Sequence, residues 1–213
     1  MDTWEDVKRR RPYRSERRRE QAQETRERVL DAAARLFAEG GFENTTISAI
    51  AQAAGVSPET VYGRFRNKRA LLGELVRRAV RGREPAPVGE QAGPRAVAAS
   101  TDQGEQMRLF AADISARLER VGPLIEVLAS AARADPELAE LLTKVHDERL
   151  RGLRGFVDAL TSNGPLQVEP EAALDTVWAL ASPELHRLLT RGRGWTRERY
   201  CSWLEASLSA LLL

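Results

Sequence analysis

A single cysteine, Cys201, stands in the 213 residues. No disulfide can form within the chain, which suits a reducing compartment and leaves open only a bridge between two copies. We read Cys201 as a packed thiol. The two histidines, His146 and His186, lie far apart without a clustered set of partner ligands, which argues against a metal site. No cofactor motif is present, and none is expected to be needed. Long hydrophobic runs are also lacking, with nothing near the roughly 20 apolar residues that span a bilayer. Residues 1–20 are rich in Arg and lack the apolar core of a signal peptide, so a cytoplasmic location is expected. No segment alternates polar and apolar residues for long enough to suggest a sheet, which points to an all-α fold.

Charge and apolar residues are both plentiful, at 30% and 42% of the chain, a profile of folded globular proteins. The net charge of +2 hides an asymmetry. Residues 1–83 carry 19 Lys and Arg against 12 Asp and Glu, whereas residues 84–213 carry 14 against 19. Basic charge gathered in one portion is the footprint of a polyanion-binding module joined to a module with another task. Much of it lies in KRRRPYRSERRR, residues 8–19, which predicts a basic flexible arm over 1–22.

Apolar spacing predicts the helices that follow. Val29, Leu30, Ala33, Leu36 and Phe37 mark helix 1, which Gly40-Gly41 stops. Thr45 and Thr46 are capping residues for a short helix 2, with Ile47, Ile50, Ala51 and Ala54 on one face and Gly55 at its end. Ser57-Pro58-Glu59 is a compact helix start: Ser caps free amides, Pro suits the first position, and Glu favours the positive end of the dipole. Helix 3 then runs over about 58–64, and helix 4 from Asn67 to about Arg81. Two short helices joined across Ala54-Gly55-Val56-Ser57 have the dimensions of a helix-turn-helix. Residues 23–82 are therefore assigned to one domain. Residues 83–101, rich in Pro, Gly and Ala, read as a linker to a second helical domain over 102–213.

The string TTISAIAQAAGVSPETVYGRFRNKRALL, within residues 26–80, closely resembles the DNA-binding domain of the tetracycline-repressor (TetR) family. The resemblance implies that helix 3 enters the major groove and that Thr46, Tyr62 and Lys68 contact phosphates. A hydroxyl, a phenol and a cation suit that role. It also implies that Pro58, Glu59, Thr60 and Gly63 meet base edges or thymine methyl groups, next to the capping Ser57. Glu59 can accept from cytosine N4, or simply be a surface acid favoured by the dipole. Arg64 stands where relatives commonly have His, and a permanent cation there can pair with a phosphate or a guanine. Ile50, Val61 and Phe65 are assigned to the core. Arg9, Arg10, Arg11 and Arg14 of the arm are expected to attract phosphates in general more than to read a minor groove.

The second domain is expected to hold one helix ending at Gly122-Pro123, another over 124–134, and a long helix from Asp135-Pro136 to Asn163. A penultimate helix divided at Ser182-Pro183 and a final helix starting at Thr196 complete it. Trp195 and Tyr200 flank that last start at the spacing of a hydrophobic staple. The ending resembles the C-terminal region of TetR-type regulators, whose last two helices pair with a second copy. This implies a homodimer with Leu185, Cys201, Leu204, Leu208 and Leu211 at the interface. It also implies a small-molecule pocket, for which Met107, Phe110, Ile114, Leu142, Val145, His146, Phe156 and Trp178 are candidate lining residues.

These expectations describe a DNA-binding repressor, not an enzyme. It would bind a palindromic operator as a dimer and be released by an apolar or amphipathic inducer, with helix 4 as the lever. Two alternatives are a regulator or activator without a small-molecule effector and a DNA-processing enzyme carrying a helix-turn-helix. For the enzyme, no nucleophile–base pair, carboxylate cluster, P-loop or metal motif is present in the sequence.

Overall fold

The helix-capping residues govern the first part of the chain. The computed structural model describes the backbone of residues 4–82, 84 and 86–213, and the side chains from residue 17 onward within that range. The chain divides into two units between Leu75 and Val76. In the first, α1 spans Trp4–Asn44 and breaks at Gly41, where φ is 74° and ψ 172°. The buried Thr45 hydroxyl secures that break by donating to Leu36 O (3.1 Å) and Gly41 O (2.8 Å). The expected flexible arm is thus helical from Trp4. Arg, Glu and Gln, which dominate the stretch, rank among the better helix formers. Arg9, Arg10 and Arg11 lie outside the described side chains.

Helix α2, Ile47–Ala54, starts on Thr46, whose hydroxyl accepts from Ala49 N at 3.1 Å. It ends on Gly55 in the left-handed region, φ 64° and ψ 40°, with Val56 N donating back to Ala51 O at 3.0 Å. That paired closure favours glycine, because a Cβ there would strain the backbone. Helix α3, Pro58–Arg64, begins two residues later on Ser57, whose hydroxyl accepts from Thr60 N at 3.3 Å. Asn67 caps the next helix, α4 (Lys68–Arg81), by accepting from Ala70 N at 2.8 Å. Val29, Leu30, Phe37, Ile50, Val61, Leu71 and Leu72 are fully buried. Ile50, Val61 and Phe65 are core residues, as expected.

In the second unit, α6 (Gln103–Ala131) is the central element. It packs against α5 (Ala92–Ala99), α7 (Pro136–Thr161), α9 (Pro183–Arg187) and α10 (Arg197–Leu212), while α8 (Pro170–Leu180) packs on α7 and α10. Two expectations change here. The 83–101 stretch is not a bare linker: it holds a 3-10 turn at Val88–Glu90 and α5, whose Val97 belongs to the core. Ala favours helix, and Pro94 falls within the first turn, where a missing N–H does little harm. Second, α6 passes through Pro123 rather than ending there. Val121, Leu124, Ile125, Val127 and Leu128 are buried around it, and their burial outweighs the roughly 3 kcal/mol that an interior proline costs.

A buried polar knot joins three segments of this unit. The Arg117 guanidinium donates to Val80 O (2.6 Å), to Gln91 Oε1 (3.3 Å) and to the Asp113 carboxylate (3.0 Å). Gln91 in turn donates to Arg81 O and Ala86 O. At the far end, α8 stops as expected before Ser182-Pro183, and its carbonyls find two side-chain donors. Tyr200 Oη donates to Leu180 O at 2.8 Å, and Arg149 donates to Trp178 O and Ala181 O while lying 3.8 Å over the Trp178 ring. Burial lowers Arg149 to about 10 and raises the Tyr200 phenol well above its usual value. Arg149 thus keeps its charge at neutral pH.

Candidate nucleic-acid interface

Because α3 is capped by its own neighbours, its outward side chains are held on a defined short helix. Val61 and Phe65 point inward, leaving Ser57, Glu59, Tyr62, Gly63 and Arg64 exposed and Pro58 and Thr60 half-buried. Tyr62 is 56% exposed, which is unusual for a large aromatic residue without a partner surface. Thr46 is exposed at the start of α2. Thus the first unit exposes a hydroxyl, a phenol, a carboxylate and a guanidinium on its two short helices.

The charges on α3 run from acid to base. The Glu59 carboxylate is held below its usual range by its own backbone N–H, then by the Ser57 hydroxyl, and stays ionised near neutral pH. Its two oxygens have four acceptor sites, so accepting from α3's start leaves capacity for an outside donor. Arg64 closes the helix, and Arg66, exposed two residues on, adds a second cation that sequence reasoning missed. Its signal was the run Arg64-Phe65-Arg66, where a buried Phe makes both flanking residues point outward.

Lys68 is held from within the unit. Expected on a phosphate, its ammonium donates here to Phe42 O (2.8 Å) and Thr45 O (3.0 Å), lies 3.5 Å from Glu43 O, and sits 4.2 Å from the Phe42 ring centroid. Three acceptors match its three hydrogens, so Lys68 ties the start of α4 to the α1–α2 corner. Replacing Lys68 with Met keeps the stem over Phe42 and removes the donors. It is expected to cost about 2 kcal/mol of stability, as for hydrogen bonds from a charged group, measured by urea unfolding. A loss of DNA affinity without a loss of stability would assign Lys68 to the phosphate instead.

The other expected sites divide in the same way. Met107, Phe110, Ile114 and Phe156 are core residues, and the Phe110 and Phe156 rings stack 3.8 Å apart. That close packing leaves no ligand space between those two rings. Leu142, Val145, His146 and Trp178 are half-buried, with His146 edge-on to Trp178 at 5.8 Å. Leu204 and Leu208, expected at an interface between copies, are fully buried in the core of one chain, because α10 turns that face toward α6. Leu211, 51% exposed, remains on the outside, and Leu185 and Cys201 are half-buried. Trp195 packs on Trp203 and Arg199 and against the core cluster that contains Tyr200, while Tyr200 meets His186 and Trp203. Among the described residues, no three His, Cys, Asp or Glu side chains group as a metal site, and no helix is long and apolar enough to cross a membrane.

Residues 29–75 match the family model for bacterial regulatory proteins of the tetR family. The HTH-type transcriptional regulator AcrR of Shigella flexneri is 42% identical over 57 residues, covering 27% of this chain and 26% of the relative. UidR of Escherichia coli (strain K12), another HTH-type transcriptional regulator, is 39% identical over 70 residues, 30% of this chain and 36% of the relative. The chain therefore aligns with only about a quarter to a third of those relatives' length. An uncharacterized HTH-type regulator, YdeS of Bacillus subtilis, is 28% identical over 183 residues, 84% of this chain and 85% of the relative. Among solved structures, NalD, the secondary repressor of the MexAB-OprM multidrug efflux pump in Pseudomonas aeruginosa, superposes with a TM-score of 0.67 at 22% identity, covering 91% of this chain and 98% of NalD. The regulator FadR from Bacillus subtilis, in complex with stearoyl-CoA, superposes with a TM-score of 0.64 at 17% identity over 85% and 96% of the two chains. At these identities the structural likeness shows the fold alone.

Proposed function

We propose that the chain belongs to the tetR family of bacterial regulatory proteins and that it is a DNA-binding transcriptional repressor, not an enzyme. It binds a palindromic operator as a homodimer and leaves it when a small molecule binds the second unit. The observation that carries this reading is α3, capped at Ser57 and presenting Glu59, Tyr62, Gly63 and Arg64 outward. Phosphate contacts come from Thr46, Tyr62, Arg64 and Arg66, with general attraction from Arg9, Arg10 and Arg11. Sequence choice comes from Glu59, Thr60 and the space above Gly63.

Dimerisation brings together the outer faces of the last two helical segments, with Leu211, Leu185 and Cys201 as contacts. It sets two recognition helices about one DNA turn apart, roughly 34–36 Å. A ligand that prefers the conformation unable to bridge both half-sites weakens DNA binding by the same factor that DNA weakens the ligand. Helix α4, whose span from Lys68 to Arg81 crosses the division at Leu75/Val76, carries that coupling. Two structural neighbours support this reading, since NalD is a repressor and FadR holds stearoyl-CoA.

Selection of bound duplexes from a random pool tests the reading. The expected result is an inverted repeat whose half-site centres lie about 10 base pairs, or a multiple, apart. Recovery of unrelated sequences at low salt would reject it.

A further inference from the structure

One opening in the second unit lies away from the expected pocket residues. It is a cavity of about 560 Å³ walled by α6, α9, the π-helical turn Leu188–Gly192, Trp195 and the start of α10. Its charges are sorted. At one end the single carboxylate of Glu126 faces two guanidinium groups, Arg187 and Arg191, each at 3.7 Å. At the other the single guanidinium of Arg197 lies between Glu119 (3.4 Å) and Glu198 (3.3 Å). Glu119 and Glu126 are seven residues apart on α6, which separates the ends by about 10 Å. One end therefore has a surplus positive charge and the other a surplus negative one.

These pairs are long and half-exposed, and such ion pairs are worth about 0–1 kcal/mol, so a ligand can replace them at little cost. The cavity wall also includes His186, 7% exposed, whose buried Nε2 has no hydrogen-bond partner. Burial lowers its pKa, so it stands as a neutral imidazole with one donor and one acceptor. Trp195 and Pro123 supply apolar wall.

We propose that this cavity binds a small zwitterion, its carboxylate between Arg187 and Arg191, its ammonium between Glu119 and Glu198, and its body along Trp195 beside His186. The site stands independently of DNA binding; only its consequence for operator affinity rests on the proposed regulatory function. A molecule bearing one charge would satisfy one end and leave the other end's surplus unmatched.

Calorimetric titration of the full chain tests the proposal, using 6-aminohexanoic acid and the dipeptide Phe-Gly as probes and hexanoic acid and hexylamine as single-charge controls. At least one zwitterion is expected to bind with Kd at or below about 1 mM, with both controls and the R191Q and E119Q variants about tenfold weaker. Both substitutions are at exposed positions, and unchanged melting curves would show that the fold is intact. The proposal is overturned if neither zwitterion binds at about 10 mM, if the controls bind equally well, or if the variants bind like the parent. Sedimentation showing that R191Q and E119Q dissociate a dimer without affecting any probe would also overturn it, assigning the cavity to contact between copies. Operator binding by the same samples without probe distinguishes the two failures: intact DNA binding with no zwitterion binding sinks only the cavity proposal.

Discussion

Replacing Tyr62 and Arg64 together with alanine is expected to weaken binding to the selected operator by about a hundredfold, with the thermal unfolding midpoint nearly unchanged. Both side chains are exposed on a helix whose inward anchors are Val61 and Phe65, so their removal leaves the core untouched. In the proposed complex each donates a hydrogen bond to a charged phosphate, worth about 1.5 kcal/mol, and two such losses would make about two decades. The salt dependence should separate the partners. Arg64→Ala alone lowers the slope of log affinity against log salt by about 1, whereas Tyr62→Phe lowers affinity and leaves the slope alone. Fluorescence anisotropy at several salt concentrations measures both quantities. Parent-like affinity in the double variant would remove α3 from the interface.

Leu204→Ala is expected to cost about 2–5 kcal/mol of stability, because it opens a cavity beneath a fully buried side chain that α10 directs into the core. Leu211→Ala, seven residues on, is expected to leave the fold within about 0.5 kcal/mol and to raise the dimer dissociation constant instead. Urea unfolding at a fixed protein concentration and sedimentation over a range of concentrations measure the two effects separately. The pairing matters, because in a dimer that unfolds on dissociation the two quantities merge. If Leu204→Ala changed assembly and not stability, α10 would have to present its other face outward.

These two results bear on residues that were not equally legible. Thr46, Gly55 and Ser57-Pro58 mark the ends of α2 and the start of α3 by contacts that each reach no more than four residues along the chain, and all three caps formed as expected. Leu204 and Leu211 look alike on the page, since both belong to the apolar run of the last helix. Lys68 looked available to DNA because the string around it resembles a phosphate-contacting motif. The three carbonyls that engage it lie 23 to 26 residues earlier, outside any local pattern. Pro123 and the Pro/Gly-rich stretch before Gln103 misled in the opposite direction: local breakers were outweighed by burial that depends on neighbouring helices.

Local sequence determined where the short helices begin and end, that the fold is all-helical, and which unit carries the basic charge. Capping, helical periodicity and residue charge act between neighbours in the chain. Tertiary structure alone decided which face of α10 is inner, that Lys68 is bound to backbone oxygens, and that six charged side chains from α6, α9, the π-helical turn and α10 sort into two ends of one cavity. Each of those outcomes depends on which distant segment packs alongside, and burial free energy, which selects that segment, responds to area and shape rather than to order in the chain.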